Sequence, residues 1–127
     1  MTIAQAIREA IRDPNPVSIF EHKLLYGSKG REKAGGFDLD VEVLEEDYTI
    51  PFGKAAIKRE GSSVTVIATH LMLYKIMAIT EKLASEGTDI VLIDPRTLVP
   101  LDKETIFASI AKTGRLIIVE ENNLTLG

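Results

Sequence analysis

Proton transfer and ligand binding need polar groups gathered where a fold leaves them reachable, and this chain offers such groups at the ends of its apolar runs. His70 closes the run Val64 to Thr69, Asp94 closes Ile90 to Ile93, and Glu120-Glu121-Asn122-Asn123 follow Leu116 to Val119. If those runs are parallel strands, the polar residues share the carboxyl edge, where open parallel sheets take their ligands. A histidine and carboxylates converging there suit acid–base work or a polar ligand. They serve equally well as solvated strand ends and helix caps, because such ends are polar whatever the protein does. A second candidate is Asp13-Pro14-Asn15-Pro16. A helix stopping there leaves its last four carbonyl oxygens unpaired. Together with a side-chain oxygen of Asp13 or Asn15 they form a hard-oxygen cluster suited to potassium, sodium or calcium. From physics alone an Asx-type turn is the simpler account.

Other chemistries are excluded. The chain has no cysteine, which removes disulfides, thiolate metal sites and cysteine nucleophiles. Gly-x-Gly-x-x-Gly and the Walker pattern are absent, and the glycines of 27–36 do not follow a strand and open a helix. No His/Asp/Glu spacing matches a transition-metal site, no nucleophile elbow occurs, and His22 and His70 lie far apart in sequence. A net charge of −4 and a pI near 5.2 give no electrostatic reason to bind nucleic acid or an anionic membrane. No run reaches the ~20 apolar residues of a membrane span, and Met1 to Asp13 lack the apolar centre of a signal peptide. Without disulfides to form, the default compartment is the cytoplasm.

These residues need elements to position them. The 127 residues are 45 % apolar and 27 % charged, an ordinary globular mix for one domain, with room for part of a second. Ile3, Ile7, Ala10 and Ile11 share a helical face, and the helix should stop at Arg12 or Asp13, before the prolines. Val17 to Phe20 reads as a short buried strand. From Ser28 to Asp47, glycines, lysines and an acid cluster read as a long surface connection, expected to be mobile, and the best candidate boundary. Beyond it a strand spans Val64 to Thr69. A helix with Leu73, Ile76, Met77, Thr80, Leu83 and Ala84 inward then ends at Gly87. A strand follows at Ile90 to Ile93. Asp102 then caps a helix with Ile106, Phe107, Ile110 and Ala111 inward and Gly114 at its end, and Leu116 to Val119 is the last strand. The order β-α-β-α-β requires parallel pairing and right-handed crossovers: an α/β fold, an open parallel-rich sheet with helices on both faces. Both chain ends look like boundaries inside a longer protein.

Several motifs in order carry a resemblance. Ala10 to Val17, Glu21-His22-Lys23-Leu24-Leu25-Tyr26-Gly27, Ile50-Pro51-Phe52-Gly53-Lys54-Ala55, Ile93-Asp94-Pro95-Arg96-Thr97-Leu98-Val99-Pro100-Leu101-Asp102, Lys112 to Leu116 and Val119-Glu120-Glu121 resemble the beta subunit of the decarboxylating component of 2-oxoacid dehydrogenase complexes. Pro95 departs from the family's usual Leu or Met. The resemblance implies residues 1–27 as the end of a pyrimidine-binding domain, 28–49 as a linker, and 50–127 as a transketolase C-terminal-type domain. It implies an α2β2 parent with thiamine diphosphate and magnesium between alpha and beta subunits, decarboxylating a 2-oxoacid and acylating a lipoyl-bearing acyltransferase.

By the same resemblance no catalytic or cofactor-binding residue falls within this chain, and His22 is not the family's substrate histidine. The chain alone should neither decarboxylate 2-oxoacids nor bind thiamine diphosphate tightly. The resemblance further implies a structural potassium ion held by main-chain oxygens of Ala10, Ile11 and Asp13 and the side chain of Asn15. Arg96, beginning at the carboxyl edge, is expected to pair with Glu120 or Glu121. Other readings are a stand-alone, non-catalytic α/β binding domain and the C-terminal part of a transketolase or deoxyxylulose-phosphate synthase.

Overall fold

The computed structural model describes residues 3–25 and 49–123. The expected mobility of 28–47 lies outside the described residues.

Helix α1 spans Ile3–Arg12 and ends where Pro14 forbids another turn, with the Asp13 N–H donating to the Glu9 carbonyl at 3.1 Å. The face shared by Ile7, Ala10 and Ile11 is not the buried one. Gln5 and Ala6 are buried, whereas Ile7 and Ile11 are exposed. The predicted strand at Val17 to Phe20 is not formed either. That stretch is irregular, and Val17, Ile19 and Phe20 are exposed. β-branched residues alone do not make a strand; a ladder partner is needed, and among the described residues none lies beside it. A short 3-10 turn follows at Lys23–Leu25.

The main body alternates as the apolar runs require. Strand β1 is Ala56–Arg59, β2 Val64–Ala68, helix α2 His70–Ser85, β3 Ile90–Asp94, helix α3 Lys103–Thr113 and β4 Leu116–Val119. The sheet order is β1-β3-β2-β4, with β2 parallel to both β3 and β4. β1 runs antiparallel to β3, and its register slips at Lys58, where a bulge leaves that residue between Ile57 opposite Ile93 and Arg59 opposite Leu92. The chain steps one way across the sheet through α2 and back past β2 through α3. With right-handed crossovers the two helices therefore cover opposite faces.

Two cores result. Val64, Val66, Ala68, Ile90 and Leu92 pack with Leu73, Ile76 and Leu83 of α2. On the other face Val91, Ile93 and Ile67 pack with Ile106 and Ile110 of α3. Leu92 and Ile93 are completely buried, each side chain contributing about 1.5–3 kcal/mol. The inward stripe of α3 is not the purely apolar one expected: Phe107 and Ala111 are exposed, while Ser109 is buried and Thr113 faces the sheet with it. Their hydroxyls meet that of Thr65, itself fully buried, at 2.6 Å from Ser109 Oγ and 2.8 Å from Thr113 Oγ1. Sequence-level apolar counting overlooks this stripe because its members satisfy one another by hydrogen bonds.

The amino edge of the sheet is tightly bonded. The Asp89 carboxylate accepts from Arg59 Nη1 at 2.8 Å and from Ser62 Oγ at 3.2 Å. The Asp89 carbonyl accepts the N–H groups of Ser62 and Ser63 at 3.1 and 2.7 Å. Arg59 also donates to the Ile90 carbonyl at 2.8 Å. The Asp89 carboxyl is held below its usual range, first by the Arg59 hydrogen bond, and the guanidinium is raised in turn, first by Asp89. Gly61 sits against this knot. A β-carbon there would lie 2.4 Å from the Ile90 carbonyl carbon and oxygen, so only glycine allows the approach.

Candidate functional site: the carboxyl edge

β2 and β3 are neighbours whose following helices lie on opposite faces, so their carboxyl ends form a topological switch point, where open α/β sheets leave a crevice. Each exit carries a residue with left-handed backbone. His70, just past β2, has φ 47°, and Arg96, just past β3, has φ 59°. Neither is glycine, and such strain in side-chain-bearing residues clusters at functional positions.

The loop after β3 is fastened by side chains. The Asp94 carboxylate accepts the Arg96 N–H at 3.0 Å, and the Pro95 carbonyl accepts the Thr97 N–H at 2.6 Å. The Thr97 hydroxyl donates to the Pro100 carbonyl at 2.8 Å and accepts the Gly53 N–H at 2.9 Å. Asp102 caps α3, accepting from the Thr105 N–H at 3.1 Å and the Thr105 hydroxyl at 2.8 Å, and it also accepts the Ala55 N–H at 3.0 Å. The Ala55 bond, followed by those from Thr105, holds the Asp102 carboxyl below its ordinary range. Residues 53–55 are thus tied to the loop. Leu98 and Val99 stand exposed at its tip, at 68 % and 93 %. On the α2 side, burial and then the nearby Asp94 charge raise the Tyr74 phenol.

Of the residues expected at this edge, the structure brings several together and changes their partners. Among the described residues Arg96 forms no ion pair with Glu120 or Glu121; its Nε is buried without a hydrogen-bond partner. Glu121 is taken instead by His22, at 2.6 Å, and approached by Lys75 at 4.0 Å. The expectation assumed that Arg96 continues the line of β3, but the left-handed backbone turns the chain before its side chain departs. His70 is not a strand end but the first residue of α2, and its Nε2 lies 3.0 Å from the Phe20 carbonyl oxygen. The two histidines, distant in sequence, reach the same edge. The sequence reading missed His22, Lys75, Tyr74 and Thr97. His22 and Thr97 had a signal, their places in the Glu21–Gly27 and Ile93–Asp102 motifs; Lys75 and Tyr74 had none.

At the end of α1, Asp13 Oδ1 accepts both the Asn15 backbone N–H at 2.8 Å and Asn15 Nδ2 at 2.9 Å, which is an Asx turn. Among the described residues no backbone N–H outside the helix reaches the carbonyls of Ala10, Ile11 or Asp13. No group of three His, Cys, Asp or Glu side chains among the described residues could hold a metal ion.

This fold, with helices on either face of a mixed sheet and a loop-built carboxyl edge, defines a known class. Residues 53–127 match the family described as "Transketolase, C-terminal domain", and the chain belongs to that family. Its relatives narrow the class further. It is 42 % identical over 115 residues to the mitochondrial pyruvate dehydrogenase E1 component subunit beta-1 of Arabidopsis thaliana, a match covering 91 % of this chain and 30 % of the relative. It is 43 % identical over 114 residues to the acetoin:2,6-dichlorophenolindophenol oxidoreductase subunit beta of Bacillus subtilis, covering 90 % and 30 %. Among solved structures, an inactive beta4 tetramer of a split-gene transketolase matches with TM-score 0.58 and 28 % identity, covering 67 % of this chain and 28 % of that one. The chain spans about 30 % of the length of the curated relatives it matches.

Proposed function

We propose that this chain is part of the beta subunit of a thiamine-diphosphate-dependent 2-oxoacid dehydrogenase, and that it contributes to subunit assembly rather than to the chemistry. The observation that carries the reading is the reach of the match. A 115-residue alignment cannot be contained in residues 53–127, so the likeness to a pyruvate dehydrogenase beta subunit runs well upstream of the transketolase-type part. In this reading residues 1–27 close a pyrimidine-binding domain, 28–49 link, and 50–127 form the C-terminal-type domain. The partners are an alpha subunit, in an α2β2 enzyme, and a lipoyl-bearing acyltransferase. Cysteine-free composition suits a cytoplasmic setting. An assembly role is supported by apolar side chains left in solvent: Ile11 at 79 %, Ile118 at 63 % and Val99 at 93 %. Exposed apolar area of this kind marks contact surfaces and weighs against a stand-alone domain.

The parent enzyme would use thiamine diphosphate and magnesium, but the described residues do not fit them. They offer no cluster of metal-binding side chains. Potassium is different. The donor set at the end of α1, carbonyl oxygens of Ala10, Ile11 and Asp13 with the Asn15 side-chain oxygen, has the hard-oxygen chemistry a monovalent cation takes.

The test is calorimetric titration of the purified chain with thiamine diphosphate and magnesium. No binding at micromolar concentration is expected, and activity should appear only in the full beta subunit assembled with alpha. Micromolar binding by the chain alone would overturn the assembly role.

A further inference from the structure

We propose that residues 20–22 form a strap across the carboxyl ends of β2 and β4, latched at each end through a histidine. At the β2 end His70 Nε2 stands 3.0 Å from the Phe20 carbonyl oxygen. A carbonyl only accepts, so His70 donates from Nε2. At the β4 end His22 Nε2 stands 2.6 Å from Glu121 Oε2. The other ring nitrogen of His22 accepts the Leu24 N–H at 3.3 Å. Nδ1 is therefore the bare nitrogen, and Nε2 carries the proton that is donated to the carboxylate. The Leu25 N–H closes the turn behind the ring by donating to the His22 carbonyl at 2.9 Å, and Lys75 Nζ lies 4.0 Å from the second oxygen of Glu121.

The span closes geometrically. β2 and β4 are neighbours, about 4.8 Å apart as adjacent strands are. Phe20 and His22 are two residues apart, and extended chain of that length reaches at most about 7 Å. Because β4 and β3 lie on opposite sides of β2, the strap runs away from the β2–β3 crevice. The chain thus covers one half of its carboxyl edge with its own backbone and does not cross the half that holds Asp94, Tyr74 and Arg96. The latch also accounts for His70. A left-handed backbone in a residue with a β-carbon persists where its surroundings enforce it, and the bond to Phe20 is such a constraint. The strap thereby fixes the chain that follows α1 and its Asx turn to the sheet.

Native trypsin cleavage after Lys23 of the whole chain, read by mass spectrometry as a ratio to cleavage after Lys112 in α3, tests this directly. The ratio removes any general loss of stability, which would raise both. His22→Ala and Glu121→Ala should each raise it roughly two- to fivefold, the range for a partly exposed polar pair. The double variant should go no further than His22→Ala, which already removes the Glu121 bond together with the Leu24 one. His22→Gln, which retains a donor that can reach Glu121, should fall back toward wild type. His70→Ala should raise the ratio on top of Glu121→Ala, because it opens the other latch. An unchanged ratio in the single variants, or effects of His22 and Glu121 that multiply, would overturn the strap.

Discussion

At the amino edge of the sheet Asp89 is bonded from Arg59, Ser62 and Ser63 at once, and Gly61 is pressed onto the Ile90 backbone. At the carboxyl edge, the length of one strand away, two side-chain-bearing residues sit in left-handed backbone, a guanidinium nitrogen is buried without a partner, and Leu98 and Val99 stand in water. One β3 strand joins both ends, so the difference does not come from the core between them. Both edges are hydrogen-bonded, the carboxyl one through Asp94, Thr97 and Asp102, but among the described residues strain and a buried donor without a partner fall only on the side where parallel α/β sheets take their ligands.

The contrast can be broken by substitution. Gly61→Ala should have the largest effect. Its β-carbon meets carbonyl backbone at 2.4 Å, which cannot yield as a flexible side chain would. Overpacking of this kind costs about 1–3 kcal/mol, so calorimetry should show a melting temperature lower by roughly 5–15 °C. A wild-type melt would mean that the edge is looser than described.

Arg59→Ala comes next, with a loss of several degrees near neutrality. It also carries a pH signature. The Asp89 carboxyl is depressed chiefly by Arg59, so its contribution is complete above the usual carboxylate value near 4 and fades as pH falls through the lower folded value. Melting temperatures followed downward from about pH 5 should fall more gently in Arg59→Ala than in wild type. Parallel acid limbs would remove Asp89 from the knot.

On the carboxyl side effects on stability should shrink. Asp102→Asn turns one acceptor oxygen into a donor, so one of the bonds from Ala55 and Thr105 is lost. The melt should drop by a few degrees, and hydrogen exchange at the Ala55 or Thr105 amide should quicken. Protection unchanged at both amides would show that the cap tolerates the swap.

Arg96→Gly is the smallest change. Relief of the left-handed strain offsets the added chain freedom, and the melting temperature should stay within about 2 °C of wild type. A large fall would mean that the guanidinium holds the loop after all.

Much of the fold was legible because β2, β3 and β4 are apolar runs spaced by helical patterns, and because Asp102, Gly87 and Gly114 mark helix ends by their own chemistry. β1 was not legible. Ala-Ile-Lys-Arg has no apolar run, and what makes it a strand is an antiparallel partner far along the chain. Val17 to Phe20 failed in the opposite way, having strand composition without a partner. At the site, the convergence of His70 and Glu121 on one edge followed from topology. That Glu121 is held by His22, 99 positions away, did not, since short-range pattern carries no record of so distant a contact. Arg96 was misassigned because one backbone angle, invisible in the residue type, decides where its side chain goes.

The bulge at Lys58 gives the sheet a sense of direction. β1 interrupts its own row of N–H and C=O groups there and sets an exposed lysine beside the gap, which discourages any further strand from docking. β4, at the opposite margin, pairs with β2 in unbroken register and leaves Leu116, Ile117 and Ile118 at 43 %, 50 % and 63 % exposure. Among the described residues the sheet is therefore finished on one side and extensible on the other. A strand recruited from elsewhere, in healthy assembly or in aggregation, has a single margin at which to join.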